Sequence, residues 1–292
     1  MLKEIQRGAE KAFLSVDESL RDEISVRFIQ FFLQLGPGHG LKTNRARGWA
    51  NRFNDYLIEG RKAPCSFFGR GILDGYKIHV KGEEFLAKDG GGVFVCNHPA
   101  DGPLRGVWIM FALNPVVAEV QDWQGCYEAR WIQKEVDEDK IIFKTPMGIQ
   151  RRRYSEMIKT SCEAVNIDLN GSLAKHKRAL LDMQKWLKRG GPLVLCPEST
   201  TSKTLVRGRP EAGRLLWSLT KDGYPVWPVG LWHERDTLTL NFGNNIDLAN
   251  SVKNGGGENC KINLGQKIAD IVMSEIAKLL PEERRGVYRK II

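Results

Sequence analysis

The chain has 292 residues, 42% hydrophobic and 27% charged, with a formal net charge of +9. That is enough apolar material for one large core, and it excludes a disordered or low-complexity chain. The six cysteines stand singly, without a C-x-x-C pair, which argues against a zinc site and against a compact disulfide framework.

The excess of positive charge has a bland explanation, a solvated basic surface, and a functional one, an anionic partner. A phosphate-bearing substrate, an anionic membrane face, an acidic carrier protein and nucleic acid all fit, and charge does not choose among them. No signal-peptide pattern opens the chain. The longest apolar runs, "VWIMFAL" (107–113) and "FIQFFLQL" (28–35), fall short of the roughly 20 residues that span a bilayer. The expectation is a cytoplasmic protein in a reducing compartment, soluble or associated with the cytoplasmic face of a membrane.

Residues 1–62 read as an N-terminal helical region. "SVDE" (15–18) has the form of a capping box, and Ile24, Phe28, Phe31 and Leu35 then recur on one face before "GPGHG" (36–40) stops the helix. A second helix carries Trp49, Phe53, Tyr56 and Leu57 on one side. Such a hairpin packs on the main domain, or its Phe-rich face with basic neighbours lies in a membrane interface; amphipathic helices more often face a core.

From residue 63 to 292 strand-like and helix-like segments alternate. "GYKIHV" (75–80) and "GVFVCN" (92–97) are β-rich and bounded by glycine. The 122–140 segment is polar, aromatic and mixed in charge, a candidate lid or surface excursion. "SLAKHKRALLDMQKWLKRG" (172–190) has Leu173, Leu180, Met183 and Leu187 near one face and ends at Gly190-Gly191. "PLVLCPE" (192–198) is a continuous apolar run, as in a strand buried on both faces of a parallel sheet. "YPVWPVGLW" (224–232) and "TLTLNFG" (237–243) give two more strands, and 264–281 a closing helix. The pattern predicts an α/β fold: a mostly parallel mixed sheet flanked by helices, with an N-terminal helical hairpin.

Ligands of open α/β sheets bind beyond the carboxyl ends of the strands. Two strands here end in reactive sets, "VFVCNHPAD" and "LVLCPESTTS", with "TPMGIQRRRY" (145–154) between them. His98 has a side chain able to take a proton near neutral pH, and a carboxylate such as Asp101 can fix its tautomer. A spacing of three would bring the two together on one helical turn. No P-loop, zinc-finger or RNP pattern is present, so nucleic acid and metal are not expected.

"NHPADGPL" after an apolar strand resembles the first motif of the glycerolipid acyltransferase family, which includes lysophosphatidate and glycerol-3-phosphate acyltransferases. "CPESTTS" (196–202) resembles its Phe-Pro-Glu-Gly-Thr-Arg-Ser motif, and the segments beyond resemble its later strands and closing helix. The family motif has four residues between His and Asp; here Asp101 follows His98 after two, and Ser199 and Thr201 replace Gly and Arg.

The resemblance implies transfer of an acyl group from acyl-CoA or acyl-carrier protein to a hydroxyl of a glycerol-phosphate or lysophospholipid acceptor, with no further cofactor and a peripheral membrane contact. His98 would be the general base, oriented by Asp101. Arg151 and then Arg153 would hold phosphate through the guanidinium fork, and Glu198, Ser199 and Thr200 would line the acceptor side. Two alternatives stay open: a catalytically inactive lipid- or carrier-binding relative, and an esterase or thioesterase using Ser199, which lacks the Gly-x-Ser-x-Gly elbow.

Overall fold

The computed structural model describes residues 15–17, 20, 21, 23, 24, 27, 40–86, 91–103, 108–120, 128–134, 153, 156–167, 173–221, 223–254 and 264–290. The face expected at Phe28, Phe31 and Leu35 lies outside the described residues, as does the 141–152 stretch that contains Arg151.

Helix α1 (Asn44–Ile58) starts at Thr43, whose hydroxyl accepts the Ala46 N–H at 2.9 Å and donates to Asp74 at 2.6 Å. This N-cap satisfies one of the otherwise orphaned first-turn donors. Phe53 and Leu57 of α1 are buried, and Trp49 and Tyr56 pack at the margin of the same cluster. Helix α2 (Cys65–Ile72) meets α1 through edge-on ring contacts, Phe53 with Phe68 at 5.2 Å. The apolar face read on α1 is therefore turned to the core.

Seven strands follow: β1 (Lys77–Lys81), β2 (Val93–Cys96), β3 (Arg130–Lys134), β4 (Val165–Ile167), β5 (Leu193–Leu195), β6 (Val226–Glu234) and β7 (Thr237–Phe242). They form one sheet in the order β1-β7-β6-β2-β5-β3-β4. Among the described residues only β6 and β7, joined through Arg235-Asp236, pair antiparallel; the other neighbouring pairs are parallel. The remaining helices are α3 (Trp108–Val120), α4 (Leu173–Lys188), α5 (Pro210–Thr220), α6 (Leu248–Asn254) and α7 (Leu264–Leu279). This is the mostly parallel mixed α/β sheet that the residue pattern predicts.

Strand alternation divides the core. Phe94 and Cys96 of β2, with Trp227, Val229 and Leu231 of β6, join the cluster containing α1, α2 and α3. Val93 and Val95, with Leu193 and Leu195 of β5, join the cluster containing α4, α5 and α7. A fully buried large apolar side chain contributes about 1.5–3 kcal/mol. These two faces, rather than polar contacts at the rim, set the register of the central strands. Trp227 stacks on Phe94 at 5.2 Å within the core.

Three elements depart from the sequence reading. Helix α3 holds the run "WIMFALNPVV" and is buried nearly all round, from Trp108 to Val117, so it has no amphipathic period to reveal it. The 122–140 segment is not wholly an excursion: β3 lies in it, between β5 and β4. Beyond α7, two 3-10 turns, Glu282–Arg284 and Gly286–Tyr288, fold the tail back onto the 203–208 loop. There Leu205 N–H donates to the Arg284 carbonyl at 2.9 Å, and Val287 N–H to the Leu205 carbonyl at 3.2 Å.

Candidate active site

The register of β2 on β5 pairs Val93 with Leu193, Phe94 with Val194 and Val95 with Leu195. Continued past the strand ends, it sets Cys96 level with Cys196 and His98 level with Glu198. The thiol sulfurs lie 3.5 Å apart, and the bond between them, with burial second, holds the Cys196 thiol well above its ordinary pKa. Asn97 extends β2 toward β6 with its side chain, donating to the Leu231 carbonyl at 2.8 Å and accepting the Leu231 N–H at 2.7 Å. A short polar side chain thus replaces a missing ladder step and fixes where the next residue, His98, leaves the sheet.

Glu198 is 1% exposed, and its carboxylate spans two loops. It accepts the His98 N–H at 2.9 Å through one oxygen and the Val206 N–H at 2.9 Å through the other. Burial pushes its pKa up to about 7, while the two N–H bonds pull the other way. The same loops are joined by backbone: Ser202 N–H donates to the His98 carbonyl at 3.0 Å, Ala100 N–H to the Ser202 carbonyl at 2.9 Å, and Pro99 and Ser202 form a parallel bridge. Segments about a hundred residues apart in sequence therefore form one wall.

The His98 ring is partly buried, and burial lowers its pKa from the ordinary imidazole value, so it is a neutral base near pH 7. Its Nδ1 is buried without a hydrogen-bond partner among the described residues. The helical-turn contact anticipated between His98 and Asp101 is not what the loop adopts. Residues 97–101 are non-helical, drawn out by the bridge at Pro99. Asp101 instead gives Oδ2 to Arg284 Nη1 at 2.8 Å, and its Oδ1 is buried without a partner. The Asp101 carbonyl accepts the indole N–H of Trp108 at 3.0 Å. Gly102 turns the chain with φ +95°, and a Cβ there would meet that indole nitrogen at 2.4 Å.

Ser199 and Thr200 are exposed beside Glu198, and Ser199 takes a left-handed φ of 54° in the turn closed by its N–H to the Cys196 carbonyl at 3.1 Å. Ser199 makes no hydrogen bond to His98. Arg153 is half-buried and helical. Arg284 and Asn97 were not singled out by sequence. Asn97 carried a signal, a polar residue ending an apolar strand; Arg284 carried none, since its partner stands far upstream.

Among the described residues no cluster of three or more His, Cys, Asp or Glu could hold a metal. No helix among them is long and apolar enough to cross a membrane. A cavity of about 720 Å³ opens beside β1, lined by Leu73, Tyr76, Ile78 and Val116 with Glu83 and Glu119 at its rim. It takes no residue from either site loop.

The arrangement is an α/β protein with a neutral imidazole at the carboxyl edge of its central strands, backed by a clamped carboxylate and a carboxylate–guanidinium pair. No protein-family model matches the chain, and no curated protein matches it. Among solved structures, the chain is similar to the 1-acyl-sn-glycerophosphate (LPA) acyltransferase PlsC from Thermotoga maritima. The TM-score is 0.43 at 17% identity, over 96% of this chain and 99% of that one. A likeness of that size says nothing about chemistry, which rests on the site residues themselves.

Proposed function

We propose that the protein is an acyltransferase that moves an acyl group from a thioester, acyl-CoA or acyl-carrier protein, to a hydroxyl of a glycerol-phosphate or lysophospholipid acceptor. The observation that carries this reading is the zipped pair of loops, which sets His98 beside the Pro197-Glu198-Ser199 segment through its backbone N–H at one edge of the sheet. The motif resemblance supplies the reaction class.

In this reading the acceptor oxygen attacks the thioester carbonyl carbon while His98 Nε2 takes the hydroxyl proton. The tetrahedral intermediate collapses by breaking the C–S bond, and the imidazolium returns the proton to the leaving thiolate. General-base assistance of this kind contributes about 10²–10⁴-fold. Asp101 is the partner for Nδ1–H, which stabilises the imidazolium formed in transit. Exposed Ser199 and Thr200 border the acceptor side, and the Arg151–Arg153 run supplies cations for a phosphate. Contact with a membrane face, on the cytoplasmic side, is how an insoluble acceptor would reach the site.

The test is a donor-by-acceptor screen of the purified protein read by mass spectrometry. Acylated acceptor in at least one combination, absent with His98→Ala at an unchanged unfolding midpoint, supports the reading. Free fatty acid released without regard to acceptor, and lost with Ser199→Ala, would make the protein a hydrolase. A thioester left intact with every acceptor would make it a binding protein.

A further inference from the structure

We propose that Arg284 is the positioning residue of this site: by holding one oxygen of Asp101 it leaves the other as the acceptor for His98 Nδ1–H. The inference rests on the acyltransferase reading for its catalytic meaning, not for its geometry.

Arg284 comes from the first 3-10 turn after α7, and its guanidinium is held at both ends. Nη1 meets Asp101 Oδ2 at 2.8 Å, and Nη2 donates to the His233 carbonyl of β6 at 2.8 Å. Two anchored ends fix the plane of a fork that a lysine could not reproduce. Its carbonyl accepts the Leu205 N–H at 2.9 Å, so this one residue ties the tail, the end of β6 and the loop that follows Glu198.

Two atoms in the His98 loop stay open. Among the described residues His98 Nδ1 and Asp101 Oδ1 are each buried without a hydrogen-bond partner. One is a ring nitrogen that donates in the tautomer needed for Nε2 to act as base, the other a carboxylate oxygen that accepts. One can donate and the other accept, and buried polar groups left open call for an explanation such as a catalytic role. Glu198 already gives each of its oxygens to a backbone N–H, whereas Asp101 Oδ1 has no such bond among the described residues. The charged and titratable groups of the two loops are Glu198, bonded to the His98 N–H, the Asp101–Arg284 pair, and the Cys96 and Cys196 thiols at the strand ends that lead into them.

The experiment uses the full chain labelled with ¹⁵N-histidine, reading the tautomer and titration of His98 by long-range proton–nitrogen correlation. Wild type is expected to hold the Nδ1–H tautomer near pH 7.5. Arg284→Gln and Asp101→Ala should each reduce it toward the ordinary mixture, the double variant no further, and Arg284→Lys should lose less. In Arg284→Gln the exposed negative charge of Asp101 should raise the His98 pKa by about half a unit or more. A wild-type ring in the Nε2–H form, which needs no variant to observe, overturns the proposal. So does an Arg284→Gln ring that titrates like wild type.

With an active donor and acceptor in hand, Arg284→Gln should lower kcat by on the order of tenfold at nearly constant acceptor KM. The reverse split would make Arg284 a substrate contact and defeat its role through Asp101. Absence of acyl transfer in wild type would refute the acyltransferase reading while leaving the tautomer result to decide Arg284.

Discussion

Glu198 is the residue whose ionisation matters most to the fold. It is almost wholly buried, with its pKa raised from 4.5 to about 7 chiefly by burial. A carboxyl raised in the folded state contributes stability that is full below about pH 4.5 and lost as the pH climbs through about 7. At about 1.4 kcal/mol per unit, the span is roughly 3 kcal/mol. His98 runs the other way: its pKa is lowered by burial, so its contribution is present above the ordinary imidazole value and lost as pH falls through the lowered one. Comparison with Glu198→Gln separates the two. Urea unfolding should show the advantage of wild type over that variant largest at about pH 4 and shrinking by roughly 3 kcal/mol toward pH 8; a pH-independent difference would clear Glu198 of the effect. Ser199 offers a second residue-scale prediction. Its left-handed φ of 54° costs a side-chain-bearing residue about 1–2 kcal/mol, against about 0.5–1 kcal/mol of extra chain entropy for glycine. Ser199→Gly, the residue found there in the resembled motif, should raise the unfolding free energy by about 0.5–1 kcal/mol. A lower value would mean that the serine side chain is itself held.

At the scale of elements, the join between the β2 and β5 loops is made of main chain, so it answers to backbone changes and not to side-chain ones. Ser202 both donates to the His98 carbonyl and accepts from Ala100 N–H through backbone atoms. Ser202→Ala should therefore be nearly neutral in unfolding and in turnover. Ser202→Pro, lacking the N–H, should cost about 3 kcal/mol and most of the activity; equal effects of the two would show that the hydroxyl, not the ladder, matters. Glycine-bounded strands such as β2 and β5 were legible because a strand buried on both faces reads as an unbroken apolar run. Helix α4 was legible from its one-sided stripe, with Met183 and Leu187 buried. Strand β4 spans only Val165–Ile167 and β3 mixes charge with apolar residues, too little for a period to declare itself. Helix α3, packed between the sheet and α2, looked like a plain apolar run for the opposite reason.

The whole molecule brings its C-terminal tail to the site through the packing of α7 on α5. That packing depends on two glycines, since a Cβ on Gly213 would lie 1.8 Å from the Gly265 carbonyl oxygen. Gly213→Ala should force the helices apart at a cost of about 1–3 kcal/mol. It should also lower turnover, because α7 carries the turn that holds Arg284; a loss of stability with unchanged kcat would uncouple tail from site. Tyr288 pins the same tail, donating to Asp270 at 3.0 Å and accepting the Gly208 N–H at 3.2 Å. This scale also explains what stayed hidden of the site. His98, Asp101 and Glu198 stood out because each follows a strand end, a place where α/β proteins do chemistry. Arg284 did not, because its pairing with Asp101 exists only once the tail has crossed the sheet. The most direct measurement of the central claim is kcat/KM for acyl transfer in wild type and His98→Ala, with equal unfolding midpoints as a control. A drop of about 10²-fold or more is expected if this imidazole moves the proton, whereas transfer surviving within about threefold would contradict its role as the base.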